Sequence, residues 1–323
     1  MTRRVLVTGG AGFIGSNVSD VFLSKGWNVD IIDDLSSGKR ENIPERATLH
    51  ECDIRDDETA RIVAANEFDA IVHLAAQIDV RRSVEDPKLD ASVNIIGTLN
   101  ILEALRKSGR GSNTRVVFSS TGGAIYGDFV TPPNVETMPK DPDSPYAIAK
   151  LAVEHFLGYY SRIHGFDAVT VRFGNVYGPR QDPHGEAGVI AIFCGRILAG
   201  RPLTIFGDGA QTRDYVHVAD VAEAIFRVAT GPIPQPGRLD DRAFNVGTGV
   251  ATSVIDLANT LLAQAGSTTP IEFAPARAGE LQDSSLSVDR ARAVLGWAPR
   301  MSLAEGLANT YAWSSSRQKV AAR

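Results

Sequence analysis

The hydrophobic positions of the chain follow two spacings, short β-branched runs and longer segments of helical periodicity. Residues 4 to 8 form a buried strand pattern that ends at glycine, and apolar residues recur at helical spacing over 16 to 25. A second strand pattern covers 28 to 32 and ends on Asp33-Asp34. A strand, a helix and another strand in this order predict a βαβ unit.

The same alternation continues to about residue 173. Further strands are predicted at 48 to 52, 70 to 74, 115 to 120 and 168 to 173, and helices at 88 to 108 and 146 to 164. This alternation favours an α/β fold, a Rossmann-type doubly wound parallel sheet with helices on both faces. In such sheets, ligands bind at the carboxyl ends of the strands.

From about residue 175 the pattern is less regular. We predict a loop over 175 to 188, helices at 189 to 199, 218 to 230, 253 to 266, 288 to 295 and 303 to 313, and strands at 203 to 206, 243 to 246 and 271 to 273. We expect a smaller α/β substrate-binding domain. It would comprise residues about 175–214 and 251–315, with residues 1–174 and about 215–250 forming the Rossmann domain. From about residue 316 to 323 we expect a frayed tail.

Composition narrows the function classes. The chain has 323 residues, 43% of them hydrophobic, and a net charge of -5 without a basic cluster, so nucleic acid is not an expected partner. Nor is a membrane, since no apolar run approaches the length of a membrane span. The two cysteines, Cys52 and Cys194, lack metal-ligand spacing, and the histidines are scattered. We therefore predict a cytoplasmic protein without a metal.

The first βαβ unit carries a dinucleotide fingerprint. Gly9, Gly12 and Gly15, with Phe13 and Ile14 among them, lie between the strand and the helix predicted over 16 to 25. Small residues let the backbone approach a pyrophosphate, and the helix N-terminus offers free N–H groups. Asp33 ends the second strand, where a carboxylate accepts hydrogen bonds from ribose hydroxyls and repels a 2′-phosphate. The fingerprint predicts NAD rather than NADP.

Later strand ends offer further cofactor contacts. Asp53-Ile54 follows a predicted strand at a position where an adenine could rest. The small residues Ala75-Ala76, followed by Gln77, come directly after another strand and suit a backbone that lies against a cofactor.

Tyr146 and Lys150 are the candidate reactive pair. They are four residues apart in Pro-Asp-Ser-Pro-Tyr-Ala-Ile-Ala-Lys, and Pro145 suits the first turn of a helix, so both side chains would share one helix face. An ammonium beside a phenol favours the phenolate, which would lower the tyrosine pKa toward neutrality and suit proton exchange with an alcohol. Alone, the pair also fits an ordinary surface helix. The fingerprint favours the catalytic interpretation.

Motifs along nearly the whole chain carry a family resemblance. They are TGGAGFIGS at 8–16, DDLSSG at 33–38, HLAAQ at 73–77, SSTGGAIYGD at 119–128, SPYAIAK at 144–150, RFGNVYGPRQDPHGEAGV at 172–189, GDGAQTRDYVHVAD at 207–220 and RAGE at 277–280. The chain thereby resembles the extended short-chain dehydrogenase/reductase family, and within it the nucleotide-sugar 4-epimerases that act on UDP-glucose and UDP-galactose.

The resemblance implies residue roles. Tyr146 would be the catalytic base, Lys150 would bind the nicotinamide ribose and lower the tyrosine pKa, and Thr121 would share a hydrogen bond with the sugar 4-hydroxyl. Because Gly122-Gly123 lengthen this loop by one residue, Ser120 remains an alternative to Thr121. Further cofactor-binding residues would be Asp34, Leu35, Ser36, Gly38, Leu74, Asn94, Ser119 and Phe173.

The resemblance also implies substrate-binding residues. Asn175 would contact the nucleotide diphosphate, Arg213 and Arg277 would grip it, and Glu280 would lie on the uridine ribose. Val189, with Thr204 and Phe206 of the strand at 203 to 206, would form the uracil slot. Taken without the resemblance, Arg213 beside Asp214 also fits a solvated ion pair.

The implied reaction is NAD-dependent 4-epimerisation of a UDP-hexose, UDP-galactose to UDP-glucose, through a 4-keto sugar. Alternatives are a UDP-GlcNAc or UDP-glucuronate 4-epimerase, the former because Ser284 is small where some relatives place a bulky residue. A 4,6-dehydratase or decarboxylase of the superfamily would carry acidic residues where Gly122-Gly123 stand. A non-catalytic NAD-binding protein would usually lack Tyr146 or Lys150. The resemblance also implies a homodimer, because in relatives the helices that correspond to 88 to 108 and 146 to 164 pair across a two-fold axis into a four-helix bundle.

Overall fold

The computed structural model describes residues 2–183, 188–276 and 281–321, and its helices and strands alternate along most of the chain. The strands are β1 Arg4–Thr8, β2 Asn28–Asp33, β3 Thr48–Glu51, β4 Ala70–His73, β5 Arg115–Thr121, β6 Asp167–Phe173, β7 Asn175–Tyr177, β8 Leu203–Phe206, β9 Thr212–His217, β10 Ala243–Val246, β11 Ala251–Ser253 and β12 Ile271–Ala274. The α-helices are α1 Phe13–Ser24, α2 Asp57–Ala65, α3 Val80–Glu85, α4 Pro87–Ala91, α5 Thr98–Lys107, α6 Pro145–His164, α7 Val189–Leu198, α8 Val218–Thr230, α9 Val254–Ala265, α10 Asp289–Leu295 and α11 Leu303–Ala321. A π-helical stretch, Ser92–Gly97, joins α4 to α5, and short 3₁₀ turns cover Arg40–Asn42 and Leu239–Arg242.

The main sheet has seven parallel strands in the order β10-β6-β5-β4-β1-β2-β3. Its central strands are rich in β-branched residues and buried on both faces, as expected when helices cover both sides. One face packs on α1, α8 and α10 through Phe22 and Ile225 among others, and the other on α2, α5 and α6 through Leu105 and Leu157. The predicted doubly wound α/β fold is confirmed.

A smaller region follows the sheet. It contains a three-stranded sheet, β11-β9-β7, and a parallel pair, β12-β8. Helices α7, α9 and α11 pack on these strands around a separate apolar core that includes Phe193, Ile205, Leu257 and Leu307. The region carries its own core as expected, while the exact domain boundaries stay a prediction.

Three local predictions need correction. Asn175–Tyr177 is strand β7 rather than loop, because it pairs with β9, which the sequence pattern missed. The helix expected at 88 to 108 is α4, the π-helical stretch and α5 in succession. Helix α11 runs to Ala321, past the expected fraying point at 316, and the Arg317 guanidinium lies over the Trp313 ring, 5.7 Å from its centre.

Of the helices in the described part of the chain, none is both long and apolar enough to cross a membrane.

Candidate active site

The glycine turn between β1 and α1 is tightly closed. Gly9 has a φ of +71°, and its carbonyl accepts a hydrogen bond from Gly12 N at 3.1 Å. A Cβ at Gly15 would lie only 2.1 Å from Gly9 O, so a side chain there would force the turn open. Gly12 precedes α1 and supplies no capping side chain. The first N–H groups of α1, at Phe13 and Ile14, therefore remain available to an anion.

Asp33 lies at the end of β2, next to this turn. Its Oδ2 accepts a hydrogen bond from Ala11 N at 2.9 Å, and its Oδ1 accepts one from Leu35 N at 2.9 Å. Burial raises the pKa of Asp33, and these two backbone N–H groups oppose the shift. Gly38 packs against the carboxylate, since a Cβ there would lie 2.6 Å from Asp33 Oδ1. The carboxylate is thus fixed beside the glycine turn.

The other predicted cofactor residues follow the same edge of the sheet. Asp34 Oδ1 accepts hydrogen bonds from Ser36 N and Oγ. After β3, Asp53 binds Arg55, and Ile54 is buried under Gly97. These residues come together where strands β2 and β3 end, as predicted from the sequence.

The chain after β4 is held by two side chains. Thr8 Oγ1 accepts hydrogen bonds from the backbone N–H groups of Leu74 and Ala75, each at 3.2 Å. The buried Asn94, in the π-helical stretch, accepts from Gln77 N and donates to Gln77 O, both at 2.9 Å. The segment from Leu74 through Ala76 to Gln77 is therefore fixed along the carboxyl edge. π-Helical turns are rare and are frequent at functional sites.

Helix α6 begins where the sequence predicts and presents the reactive pair. Ser144 Oγ caps the helix by accepting from Ala147 N at 3.3 Å, and Pro145 occupies the first turn. Tyr146 is partly exposed, whereas Lys150 is 3% exposed. Lys150 Nζ donates to Ser119 O at 3.0 Å and lies 5.8 Å from the centre of the Tyr146 ring.

The protonation states differ from the expectation. In the protein alone, burial raises the pKa of Tyr146, and the Asp90 carboxylate raises it further. Burial also lowers the pKa of Lys150 to about 8, although Asp90 opposes this shift. Without the cofactor, Lys150 therefore does not lower the tyrosine pKa, and a lowering by Lys150 together with the cationic nicotinamide stays a prediction. Desolvation outweighs the ammonium, whose nitrogen bonds to a backbone carbonyl, and a further positive charge is needed.

Three hydroxyl groups, those of Ser119, Ser120 and Thr121, lie at the end of β5. Ser120 is 4% exposed, and its Oγ has no hydrogen-bond partner among the residues described. Thr121 is partly exposed and lies on the opposite strand face from Ser120, because successive strand residues alternate. Ser119 Oγ donates to His73 O at 3.1 Å. Phe173, aligned with Thr121 across the sheet, ends β6 and is buried.

The predicted substrate residues lie on the smaller region. Asn175 is exposed on β7, Val189 begins α7, and Thr204 and Phe206 lie partly exposed on β8. Thr204 Oγ1 accepts a hydrogen bond from Arg196 Nη1 at 2.6 Å. Arg277 and Glu280 lie outside the described residues.

Arg213, on β9, donates from Nη1 to Thr212 O at 2.7 Å. The neighbouring Asp214 is 1% exposed, and its carboxylate accepts hydrogen bonds from Thr248 N and Oγ1, Gly249 N and Leu286 N. The Asp214 carboxylate therefore links β9 to the backbone at Thr248-Gly249 and at Leu286. A solvated ion pair between Arg213 and Asp214 is disfavoured, because Asp214 is neither solvated nor short of donors.

The sequence analysis missed a buried polar chain that links Thr8 to Asn94. Thr98 Oγ1 donates to Asn94 O at 2.6 Å, so it accepts from His73 Nε2 at 2.9 Å, and His73 Nδ1 accepts from Thr8 Oγ1 at 2.7 Å. Burial lowers the pKa of His73 to about 3, and Lys150 adds to the shift, so the ring is neutral. The available signal was that His73 follows a continuous apolar run directly before the loop.

A second missed residue is Asp90, which lies one helical turn before Asn94 and is 1% exposed. Its position four residues from a predicted cofactor residue was the available signal.

Taken together, the geometry fits a dinucleotide. The closed glycine turn leaves the first N–H groups of α1 available for phosphate, and the fixed Asp33 carboxylate suits ribose hydroxyls. In the described residues, no group of three or more histidine, cysteine, aspartate or glutamate side chains is placed to hold a metal ion.

Comparisons with known proteins agree with this geometry. The model of the NAD dependent epimerase/dehydratase family matches residues 5–247. A UDP-glucose 4-epimerase of Mycolicibacterium smegmatis is 47% identical over 312 residues, covering 95% of this chain and 97% of the relative.

Two solved structures are also similar. The UDP-glucose 4-epimerase of Thermotoga maritima with UDP-glucose is 43% identical, with a TM-score of 0.91 and coverage of 98% of this chain and 99% of that one. The UDP-glucose 4-epimerase of Thermus thermophilus in complex with NAD is 43% identical, with a TM-score of 0.88 and coverage of 97% and 99%. The family match and these identities over nearly the whole length establish that the chain belongs to the NAD dependent epimerase/dehydratase family.

Proposed function

We propose that this protein interconverts UDP-galactose and UDP-glucose and keeps NAD bound while it does so. The observation that carries the proposal is the placement of Tyr146 and Lys150 on α6, beside the carboxyl edge that presents the fixed Asp33 and the glycine turn. The similarity to UDP-glucose 4-epimerases over nearly the whole chain supports the same assignment.

Tyr146 is the group that moves the proton. Its phenolate accepts the proton of the sugar 4-hydroxyl, and Thr121, partly exposed at the end of β5, shares a hydrogen bond with the same oxygen. Lys150 is held by Ser119 O at 3.0 Å and keeps a positive charge near the phenol. Because burial raises the pKa of Tyr146, Lys150 is not sufficient to form the phenolate.

When bound, NAD would supply the missing positive charge and a reversible hydride acceptor for C4 of the sugar, which would allow epimerisation through a 4-keto form without net oxidation. Gly9, Gly12, Gly15 and the start of α1 would hold its pyrophosphate, and Asp33 its adenosine ribose. The segment Leu74–Gln77, Asn94, Ser119 and Phe173 would line the remainder.

The smaller region would hold the nucleotide. Arg213 offers a planar guanidinium to the diphosphate, with Asn175 nearby, and Val189, Thr204 and Phe206 would form the uracil slot. Arg277 and Glu280 are proposed to complete this site on the evidence of the sequence motif alone. Firm binding at the diphosphate would leave the hexose free to turn over between the two hydride transfers.

A dehydratase or decarboxylase is disfavoured by the residues beside Thr121. A Cβ on Gly122 would lie 2.5 Å from Leu286 Cδ1 and 3.2 Å from Phe173 O, so the Leu286 side chain would have to shift to admit an acidic residue, whereas among the described residues a Cβ on Gly123 would meet only Asn175 Oδ1 at 3.6 Å. Since eliminating water requires an additional acid and base, the absence of carboxyl groups at Gly122-Gly123 favours epimerisation.

The experiment is incubation of the purified protein with UDP-galactose and no added NAD, with the products followed by NMR. Appearance of UDP-glucose without release of NADH is the expected result. No conversion of UDP-galactose, while NAD is still released on denaturation, would exclude this substrate and leave the N-acetylated or uronate sugars.

UDP-GlcNAc is a second candidate substrate because of Ser284. This residue is 3% exposed, and its backbone N–H donates to Thr212 O beside Arg213, so a small side chain lies next to the proposed diphosphate site. Turnover of UDP-galactose and UDP-GalNAc by the wild type and by Ser284→Tyr tests whether its size admits an N-acetyl group. Selective loss on UDP-GalNAc is expected; equal loss on both would contradict the idea.

We also propose a homodimer. Exposed apolar side chains lie on α3, the π-helical stretch and α6, which pack against one another: Val84 at 63% exposure, Ile96 at 57%, Tyr159 at 44% and Ile163 at 65%. Two such helical faces related by a two-fold axis would bury each other in a four-helix bundle. Sedimentation equilibrium should give a dimer for the wild type and for Val250→Asp, and a monomer for Ile163→Asp. A monomeric wild type would overturn the proposal.

The cytoplasm is the proposed location, because Cys52 and Cys194 are both free thiols. Cell fractionation with antibodies against the protein tests this placement, and recovery outside the cytoplasmic fraction would contradict it.

A further inference from the structure

Asp90 is a buried carboxylate that is only half satisfied. It lies on α4 and is 1% exposed, and its Oδ1 accepts hydrogen bonds from Gln77 Nε2 and Asn94 Nδ2, both at 3.0 Å. Its Oδ2 is buried and has no hydrogen-bond partner within the described ranges. An unmatched buried carboxylate oxygen destabilises the folded state, so stability does not explain why the residue is acidic.

Asp90 lies on the helix that packs against the helix of the reactive pair, α4 against α6. Its carboxylate raises the pKa of both Lys150 and Tyr146. Among the residues described, Lys150 makes a hydrogen bond to the backbone at Ser119 O and no ion pair with a carboxylate. Asp90 is therefore the acidic group that acts on this buried ammonium from a distance.

The carboxylate is also fixed relative to the proposed cofactor site. Asn94 holds Asp90 Oδ1 with the same amide nitrogen that donates to Gln77 O, and its amide oxygen accepts from Gln77 N. Gln77 ends the segment expected to lie along NAD. The negative charge thus has a defined position between this segment and α6.

An asparagine at position 90 would satisfy the same hydrogen bonds. Its amide oxygen could accept from Gln77 and Asn94 as Oδ1 does, and its amide nitrogen would replace the unmatched Oδ2. Because the hydrogen-bond geometry does not require a carboxylate, the feature left to explain is the charge.

We propose that Asp90 is a positioning residue whose fixed negative charge holds the protons of Tyr146 and Lys150 and so sets the pH range in which the pair works. This inference rests on the proposed function of that pair. Asp90 acts through the two residues on α6.

Other ionisable groups around Asp90 and the pair do not replace it. His73, on β4, is neutral, since burial lowers its pKa to about 3. The remaining charged residues on α3, on α4 and at their ends are Asp79, Arg81, Arg82, Glu85, Asp86 and Lys88, all more exposed than Asp90. Burial raises the pKa of Asp90 itself, and Gln77, Asn94 and Lys150 oppose the shift.

Removing the charge should move both limbs of the pH profile in one direction. A negative charge raises the pKa of the phenol and of the ammonium, so its loss lets both groups release protons at lower pH. At an effective dielectric of about 20, a unit charge within about 10 Å corresponds to a shift of roughly one pH unit. The bell-shaped profile of kcat should therefore shift to lower pH by about that amount.

The experiment compares kcat against pH for the holoenzyme and for Asp90→Asn, Asp90→Ser and Asp90→Glu, with Asp86→Asn as the control. Asp86 is exposed and caps α4 by accepting from Leu89 N at 3.0 Å, which asparagine also does. Both neutral variants should shift the profile to lower pH. Asp90→Glu, which keeps the charge, and Asp86→Asn should leave it in place.

Each result decides the question. Lower activity of the neutral variants with an unmoved profile would show a structural role and overturn the proposal. Failure of both neutral variants to fold while Asp90→Glu folds would do the same. A wild type without any epimerase activity would instead be a failure of the proposed function, which the wild-type profile reveals independently of the variants.

Discussion

Helix α6 carries two buried charges four residues apart, and they lie in opposite kinds of surroundings. Glu154 is 2% exposed and faces Arg172, with its Oε1 3.1 Å from Arg172 Nε and its Oε2 2.5 Å from Nη2. Lys150 is 3% exposed and donates to a backbone carbonyl. A lysine and a glutamate at this spacing commonly pair on a helix surface. Here each belongs to a different buried cluster.

The cluster around Arg172 is satisfied on every side. The guanidinium is fully buried and also donates to Asp240 Oδ1 at 2.7 Å, Tyr126 Oη at 3.1 Å and Glu136 O at 2.9 Å. Burial alone would lower the pKa of Arg172, but Glu154 raises it above its ordinary value. The charge is thus fixed at all pH values in which the protein is folded.

The cluster of Lys150, Tyr146 and Asp90 is the reverse. Lys150 has a pKa lowered to about 8 by burial, Tyr146 has a raised pKa, and Asp90 leaves one oxygen unmatched among the described residues. Groups that must exchange protons need pKa values that can be shifted by a ligand, and full pairing would prevent this. The difference separates buried charges that stabilise the fold from those for which we propose a role in the chemistry.

The largest effect on activity is expected from a substitution in the cluster of Lys150, Tyr146 and Asp90. Tyr146→Phe removes the proposed proton-transfer group and should lower kcat by roughly 10²- to 10⁴-fold. The free energy of unfolding should change little, because the hydroxyl is not part of a satisfied network. Turnover of UDP-galactose measures kcat, urea unfolding measures the free energy of unfolding, and NAD content shows whether the cofactor is still bound. Tyr159→Phe, at a 44% exposed tyrosine of the same helix, is the control and should retain full activity.

A substitution in the cluster around Arg172 should instead lower the stability of the protein and change its activity little. Arg172→Met leaves Glu154 buried without its partner, so the free energy of unfolding should fall by about 3 to 5 kcal/mol. Activity per folded molecule should remain within a few-fold of wild type.

Arg172→Met combined with Glu154→Leu distinguishes an unpaired charge from lost packing. Because the second substitution removes the stranded carboxylate, it should restore a substantial part of the stability in urea unfolding. A double variant less stable than Arg172→Met alone would contradict the account given for Glu154.

The same contrast shows what could be predicted from the sequence. The βαβ unit, Gly9 to Gly15, Asp33 and the Tyr146/Lys150 pair were predictable, because local spacing determines them. The partners of Arg172 were not: Glu154, Tyr126 and Asp240 are separated from it by 18, 46 and 68 residues. Such pairs depend on how β6, α6 and a later 3₁₀ turn meet in space.

The direction in which the pKa of Tyr146 shifts also could not be predicted from the sequence. Helical spacing places Lys150 beside Tyr146, but it does not reveal that burial raises the pKa of Tyr146 or that the Asp90 carboxylate raises it further. Likewise, β7 was predicted as loop because its partner β9 lies well further along the chain, and pairing rather than propensity makes it a strand.

A third prediction concerns pH and Lys150. Its pKa is about 8 in the folded protein and 10.5 in its unperturbed form, so between these values the unfolded chain binds more protons. Stability attributable to this group therefore rises with pH over that window, by up to about 3 kcal/mol. The difference in unfolding free energy between cofactor-free wild type and Lys150→Met should increase from about pH 8 to about pH 10 in favour of the wild type. A constant difference would contradict the buried, unpaired ammonium, and Lys88→Met, at an exposed lysine of α4, is the control.

The smallest effect on stability is expected at Asp240, the partly exposed member of the cluster around Arg172. Asp240 is 19% exposed and bonds to Arg172 Nη2 at 2.7 Å and to Lys140 Nζ at 2.6 Å. Asp240→Asn keeps an acceptor for one of these cations but removes the charge, and solvent screens part of the loss. We expect about 1 kcal/mol of lost stability in urea unfolding, with Asp289→Asn, at an 81% exposed carboxylate, close to zero. If Asp240→Asn instead cost as much as Arg172→Met, the cluster would act as one unit and Glu154 would not be the dominant partner. A small cost would place the stabilising charge pair between Arg172 and Glu154, the latter on the same helix as Lys150.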